Sequence, residues 1–335
     1  MSAGFDAVAG RGHESLLAIS GLRVCYKSGD SRAAAVDGVD LGLQPGEALG
    51  IAGESGCGKT TIALACLGLL PSSAEVEGYI RFQGREIIGA KPGQLRAIRW
   101  AGISIVFQGA MNALNPVKRV GDQIAEAILL HENTSEEVAH ERARSLMEEV
   151  GIPRGRSGDY PHEFSGGMRQ RTMIAMALAC SPPLVIADEP TTALDVMTQA
   201  QILELVARLR RDKGIGLIVI THDLSVLSEV ADRVAIMYAG HIVEEGPAVE
   251  VLTSPAHPYS EALIGAFPTI GDPRSRGVPM GLPGDPPHPE DRPSGCPFHP
   301  RCPKVFEPCD TVEVQLAPVG PGRSAACHLL SRVSQ

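Results

Sequence analysis

The apolar positions of this chain fall in short blocks separated by glycine, proline and charged residues. Ala48 to Ala52 is a compact apolar run ending at Gly53, the pattern of a buried strand feeding a glycine loop. Ile62 to Leu70 follows it, apolar and helix-friendly, with Pro71 placed to end a helix. From about Gly109 to Gly167 the spacing turns helical. Thr134 and Glu137 form a capping-box pattern, opening a helix with Val138, Leu146, Met147 and Val150 on one side, stopped by Gly151. Leu184 to Ala187 and Leu217 to Ile220 are two further buried strands, and Gln201 to Leu209 lies between them at helical spacing. Strands alternating with helices predict a mainly parallel sheet covered by helices.

The pattern changes near Ser254. Sixteen of the 26 prolines lie from Pro255 onward, among few large apolar residues. Proline lacks the N–H and has a fixed φ, so this tail cannot hold long helices or central strands. It is either disordered or held by something other than an apolar core. The chain thus divides into residues 1–254 and a proline- and cysteine-rich region, 255–335, with a helical subdomain at about 109–170.

Composition narrows the class. A hydrophobic share of 44% over 335 residues is enough for a real core. The net charge of −9, from 39 acidic and 30 basic residues, argues against a general nucleic-acid binder. No apolar stretch reaches the roughly 18 residues of a membrane span; the nearest, Thr172 to Ala187, is broken by Ser181-Pro182-Pro183. The N-terminus has no basic segment leading into an apolar block and does not read as a secretory signal. The expected compartment is the cytosol, where thiols stay reduced. Cys25, Cys57, Cys66 and Cys180 are scattered and read as small hydrophobes. Cys296, Cys302, Cys309 and Cys327 crowd near the C-terminus and need their own explanation.

Gly53-Glu54-Ser55-Gly56-Cys57-Gly58-Lys59-Thr60, with Thr61 behind it, is a phosphate-binding loop of the Walker A pattern. Its glycines let backbone N–H groups turn inward as an anion nest, and the next helix points its positive end at the same place. Lys59 can reach the β and γ phosphates, and the Thr60 hydroxyl can hold Mg²⁺. Leu184 to Glu189 supplies a second half: an apolar strand delivers Asp188, which would hold Mg²⁺ through water, and Glu189, which would polarise the attacking water.

Phe164-Ser165-Gly166-Gly167-Met168-Arg169-Gln170 lies twenty residues before Asp188 and offers a hydroxyl, backbone N–H groups and a helix start as a second anion site. Here the chain resembles the ABC ATPase superfamily, whose signature is a Ser-Gly-Gly motif upstream of the Walker B strand; Met168 stands where that pattern often has Gln. The resemblance implies further roles in collinear order. Tyr26 matches the aromatic that stacks on adenine, with a core aromatic as the lesser alternative. Gln108 matches the Q-loop glutamine that senses Mg²⁺ and the membrane partner. Ala193-Leu194-Asp195 matches the D-loop, and His222 the switch histidine at the γ-phosphate, though alone it could be a capped strand end.

Tyr160-Pro161-His162-Glu163-Phe164-Ser165-Gly166-Gly167-Met168-Arg169-Gln170-Arg171 and Asn112-Ala113-Leu114-Asn115-Pro116 narrow the resemblance to the oligopeptide and dipeptide uptake branch, over about residues 16–330. Gly109-Ala110 departs from the Asp-Pro common there, which puts cargo and permease identity in question rather than hydrolysis. The resemblance implies an α/β P-loop NTPase core with an antiparallel β subdomain, a helical subdomain and a small Cys-rich C-terminal appendage. It implies ATP, Mg²⁺, a second homologous ATPase, two permease subunits and an extracytoplasmic substrate-binding protein, with the chain peripheral on the cytoplasmic face of the cell membrane. Peptides are the implied cargo, with nickel or oligosaccharides as alternatives. An ABC ATPase without membrane partners and a redox sensor using ATP as reporter are other classes; the first usually carries coiled-coil insertions or two cassettes, neither visible here.

The four C-terminal cysteines are separated by five, six and seventeen residues, unlike the paired spacing of common zinc sites. Four cytosolic cysteines in such a segment can hold a [4Fe–4S] cluster, as some members of the family do. Structural zinc, with His299 or His328 as spare ligands, and no metal at all remain open.

Overall fold

Five consecutive apolar residues can be buried on both faces only in a strand flanked by other elements, and Ala48–Ala52 is such a strand, with every residue buried. The computed structural model describes residues 15–28, 31–107, 109, 113–192, 194–266, 282 and 284–333. In chain order the elements are β1 (Leu17–Ser28), β2 (Ser31–Leu43), β3 (Ala48–Ala52), α1 (Lys59–Cys66), β4 (Ala74–Phe82), β5 (Arg85–Glu86), α2 (Pro92–Ile98), β6 (Ile103–Val106), α3 (Val120–His131), α4 (Glu136–Glu149) and α5 (Gly166–Ala177). Then come β7 (Leu184–Asp188), α6 (Val196–Lys213), β8 (Gly216–Thr221), α7 (Leu224–Val230), β9 (Arg233–Tyr238), β10 (His241–Pro247), α8 (Ala248–Thr253), α9 (Pro258–Gly265), β11 (Ala317–Gly320), β12 (Arg323–Ala325) and α10 (His328–Val333). The chain divides into two compact units, one drawn from residues 1–43, 48–88 and 221–335, the other from 44–47 and 89–220.

The first unit holds an antiparallel sheet in the order β2-β1-β4-β5. Leu17 of β1 pairs with Leu43 on one side and Phe82 on the other, and Leu17, Ile19, Leu22 and Val24 carry its core face. In the same unit β3 runs parallel to β9, with Ile51 opposite Ala235, and β10 returns antiparallel to β9. The tail adds to this sheet: β12 pairs with β10, placing Ala325 opposite Glu244, and β11 pairs with β12.

The second unit has the predicted parallel strands. Ile105 of β6 is opposite Ile186 of β7, and Ile186 is opposite Ile218 of β8. All residues of β7 and β8 are buried, which accounts for their continuous apolar runs. The helical stretch resolves into α3, α4, two short 3-10 turns and α5.

Two local expectations change. The cap of α4 is Ser135, not Thr134: the Ser135 hydroxyl accepts the Val138 N–H at 3.4 Å. The buried face of α4 is then Ala139, Ala143 and Met147, followed by Val150, while Val138 is exposed; small side chains let the neighbouring helices approach there. Helix α1 ends at Cys66 rather than running to Leu70, because Gly68 adopts a positive φ of 59° and its N–H and that of Leu69 turn back to the Ala65 and Leu64 carbonyls.

The described tail is held mainly by point contacts. Glu244, fully buried, accepts from the Ala256 N–H at 2.9 Å, the His257 N–H at 3.0 Å and the Arg323 guanidinium at 2.7 Å. Arg292 pairs with Asp37 at 2.9 Å. Phe298 is buried against Tyr238 and Tyr259. Among the described residues no helix is long and apolar enough to cross a membrane.

Candidate active site

The phosphate loop begins where β3 stops. Gly53 takes φ 156° and Gly58 φ 108°, and a Cβ on either would lie 2.1 Å from the Met237 carbonyl oxygen or 2.2 Å from that of Ala35. Only glycine lets the loop pass this close to its neighbours. Lys59 opens α1 and is buried. Its ammonium donates to the carbonyl oxygens of Gly53 at 2.8 Å and Glu54 at 2.9 Å, so the loop curls around the side chain that would meet phosphate. The Cys57 Sγ is 3.6 Å from the same ammonium, and burial raises the thiol against the opposing pull of Lys59. Thr60 is exposed and Thr61 buried. Glu54, Ser55, Gly56, Cys57 and Arg292 are among the residues lining a cavity of about 200 Å³. Tyr26 on β1 is half-buried, its hydroxyl 3.4 Å from the Thr61 hydroxyl, which ties the aromatic to the start of α1.

In the second unit Asp188 closes β7 and is 1% exposed. Glu189 follows at φ 48°, a left-handed conformation that few non-glycine residues adopt. The Glu189 N–H donates to the Ile220 carbonyl at 2.8 Å, and its carboxylate accepts the Thr192 hydroxyl at 2.9 Å. Backbone and side chain are therefore both fixed at the strand end.

The signature residues sit at the start of α5. The exposed Ser165 is the N-cap, its hydroxyl accepting the Met168 N–H at 3.3 Å; a cap hydroxyl and a helix N-terminus thus share one point. Gly166 and Gly167 form the first turn, and a Cβ on Gly167 would stand 2.7 Å from the Thr198 methyl. Thr198 in turn donates through N–H (2.9 Å) and hydroxyl (2.7 Å) to Asp195, the N-cap of α6. These hydrogen bonds hold the Asp195 carboxyl below its usual range. Signature and D-loop are joined through one threonine, a link that spacing does not reveal. His222 is exposed just after β8, beside Asp223, the N-cap of α7. Gln108 and Ala193 lie outside the described residues.

Sequence reasoning missed the tail's share in the phosphate loop. Tyr259 and Arg301 both bond Glu54, from 205 and 247 residues away. No local pattern marks either residue for this.

Cys296, Cys302, Cys309 and Cys327 line one small cavity with His257, His299 and His328. Burial pushes the Cys296 thiol up to about 11, and the other three thiols push it the same way. Among the described residues, however, no group of three or more His, Cys, Asp or Glu could hold a metal ion. The expected [4Fe–4S] or zinc site therefore finds its thiols gathered but no ligand geometry. His257, which the sequence did not single out, is lowered to about 4 by burial, and its Nδ1 accepts the Tyr259 N–H at 3.0 Å.

The ABC transporter family model matches residues 36–192, and that of the oligopeptide/dipeptide transporter C-terminal region matches residues 243–309. The chain is 45% identical over 315 residues to the oligopeptide transport ATP-binding protein OppD of Salmonella typhimurium, covering 93% of each. It is 44% identical to the dipeptide transport ATP-binding protein DppD of Bacillus subtilis, covering 89% of this chain and 90% of that one. Among solved structures it is similar to the ATP-binding cassette MJ0796, a dimer in a post-hydrolysis state bound to ADP and Pi, with TM-score 0.63 and 28% identity over 69% of this chain and 98% of that one. With a phosphate loop, a strand-end Asp-Glu pair and a serine-capped signature helix all in place, the chain belongs to the ABC transporter family of ATP-binding proteins, in its oligopeptide and dipeptide branch.

Proposed function

We propose that this chain hydrolyses ATP to power import of peptides across the cytoplasmic membrane. The observation that carries the reading is the phosphate loop, with Lys59 buried and held by the Gly53 and Glu54 carbonyls at the start of α1. The peptide assignment is supported by the oligopeptide and dipeptide relatives along nearly the whole chain. In this reading the loop amides of residues 53–61 and Lys59 bind the phosphates, and Tyr26 stacks on adenine. Thr60, Gln108 and Asp188 hold Mg²⁺, which neutralises phosphate charge. Glu189 orients the attacking water and draws its proton, and His222 contacts the γ-phosphate. One chain carries one phosphate loop and one signature, so Ser165, Gly166, Gly167 and Met168 serve the ATP of a second, homologous ATPase, with Asp195 at that interface. The dimeric MJ0796 cassette supports this pairing. Two permease subunits and an extracytoplasmic binding protein complete the assembly, with this chain peripheral on the cytoplasmic face.

Glu189→Gln tests the catalytic assignment. A positioned general base contributes about 10²–10⁴-fold, so turnover by the assembled transporter should fall by that order with ATP still bound. Ser165→Arg should spare ATP binding by the isolated chain and block pairing. Near-normal turnover by Glu189→Gln, or loss of ATP binding in isolated Ser165→Arg, contradicts the reading.

The shared cavity of Cys296, Cys302, Cys309 and Cys327 favours a second, structural role for the tail. Four soft thiol donors with no carboxylate among the cavity's lining residues are the donor types that a [4Fe–4S] cluster or zinc would take, once drawn into the ligand geometry that they do not hold here. Such a group would cross-link a loop-rich segment that proline keeps from regular structure. Protein purified without oxygen should contain iron and sulfide that Cys302→Ser loses. One zinc and no iron would replace the cluster with zinc, and no metal would discard the role.

A further inference from the structure

Glu54 is the second residue of the phosphate loop, and a carboxylate beside bound phosphates is electrostatically unfavourable unless a cation holds it. The Arg301 guanidinium does so. Its side chain is 6% exposed, and it donates through Nη1 (2.7 Å) and Nη2 (3.0 Å) to the two Glu54 carboxylate oxygens, the fork geometry that fixes direction as well as distance. Nη1 also donates to the Tyr238 hydroxyl at 3.3 Å. The Glu54 main chain is held as well, its N–H donating to the Tyr259 hydroxyl at 3.0 Å. Tyr238 and Tyr259 stand 4.5 Å apart between ring centroids and each lies 5.3 Å from Phe298; all three rings are buried. Both tyrosine hydroxyls are thus presented by a rigid aromatic cluster. The carbonyl of the residue so gripped accepts the Lys59 ammonium at 2.9 Å.

We infer that Arg301 is a positioning residue for ATP binding, acting through Glu54 to set the place from which Lys59 meets the phosphates. The inference rests on the ATP reading of the phosphate loop. A buried ion pair is seldom more stabilising than well-packed apolar side chains of the same volume, so stability alone does not account for a charge pair at this position. Geometry does: the fork ties one defined conformation of the loop to the tail. The group held is the carboxylate itself, and the bonds to Lys59 run through the same residue.

The test is MgATP binding to the full-length chain by titration calorimetry, well below each variant's melting temperature. Arg301→Met and Glu54→Gln should each weaken binding about tenfold, and the double variant should be no weaker than either single, because the pair acts as one unit. In a Lys59→Ala background Arg301→Met should add nothing, whereas a merely structural role predicts the same loss in both backgrounds. Should Arg301→Met fail to fold, Arg301→Lys keeps the charge, loses the fork and should still bind MgATP more weakly than wild type. Wild-type affinity in a folded Arg301 variant, or an undiminished Arg301→Met effect alongside Lys59→Ala, overturns the inference. Failure of the wild-type chain to bind MgATP would overturn the ATP reading with it.

Discussion

Gly53–Thr60 and the described tail, Gly284–Val333, meet at Glu54 but are ordered differently. The loop takes much of its shape from its chain neighbours: a buried strand enters it, a helix leaves it, and glycines at φ 156° and 108° make the turn between. The tail has short β11 and β12, little helix and three arginine anchors, Arg292 to Asp37, Arg301 to Glu54 and Arg323 to Glu244. Each anchor spans a long stretch of sequence and ends on a carboxylate of the cassette. A periodic pattern can order a segment through many weak, equivalent contacts. A proline-rich segment has no such pattern and depends on a few directional ones, so single substitutions should do more harm there.

The sharpest way to break this comparison is Glu244→Ala. It leaves the Ala256 and His257 N–H groups without their acceptor and the partly buried Arg323 guanidinium without its carboxylate, with only the Ser254 carbonyl still accepting from it. Removing one partner of a buried ion pair costs about 3–5 kcal/mol. Chemical denaturation should show a loss of that order, with the tail cut first by protease. A loss like that of an ordinary surface substitution would mean the tail is not held at points. Gly58→Ala probes the loop instead. The new Cβ meets the Ala35 carbonyl at a φ that alanine rarely adopts, and such strain costs about 1–3 kcal/mol. MgATP affinity should fall sharply while the tail keeps its protease resistance; unchanged affinity would contradict the loop geometry. Smaller still, Ser135→Ala removes the α4 cap and should cost about 1 kcal/mol in thermal or chemical unfolding, with ATP binding unaltered.

The same contrast explains what could be read in advance. Ala48–Ala52, Leu184 to Ala187 and Leu217 to Ile220 are apolar runs of four or five residues, too short for a helix and flanked by glycine or proline, so the parallel strands and the loop between β3 and α1 were legible. Asp188 and Glu189 are read from the end of the apolar run Leu184 to Ala187, and Ser165 from the resemblance of its Ser-Gly-Gly motif to the ABC signature. Ser135 was missed as the α4 cap because Thr134 offers the same hydroxyl one residue earlier. The Thr198 link from Asp195 to Gly167 was missed because it joins two helix starts that no spacing relates. Arg301 was illegible for a stronger reason. An arginine between Cys296 and Cys309 reads as a solvated charge, and its burial depends on a carboxylate 247 residues away.

The central claim, that this chain turns ATP hydrolysis into peptide uptake, is tested most directly in proteoliposomes holding the chain with its permeases, partner ATPase and binding protein. Labelled peptide should accumulate inside only with MgATP on the side of this chain, and Glu189→Gln should stop accumulation while ATP stays bound. ATP hydrolysis without peptide movement, or accumulation of nickel or oligosaccharide in its place, would contradict the account.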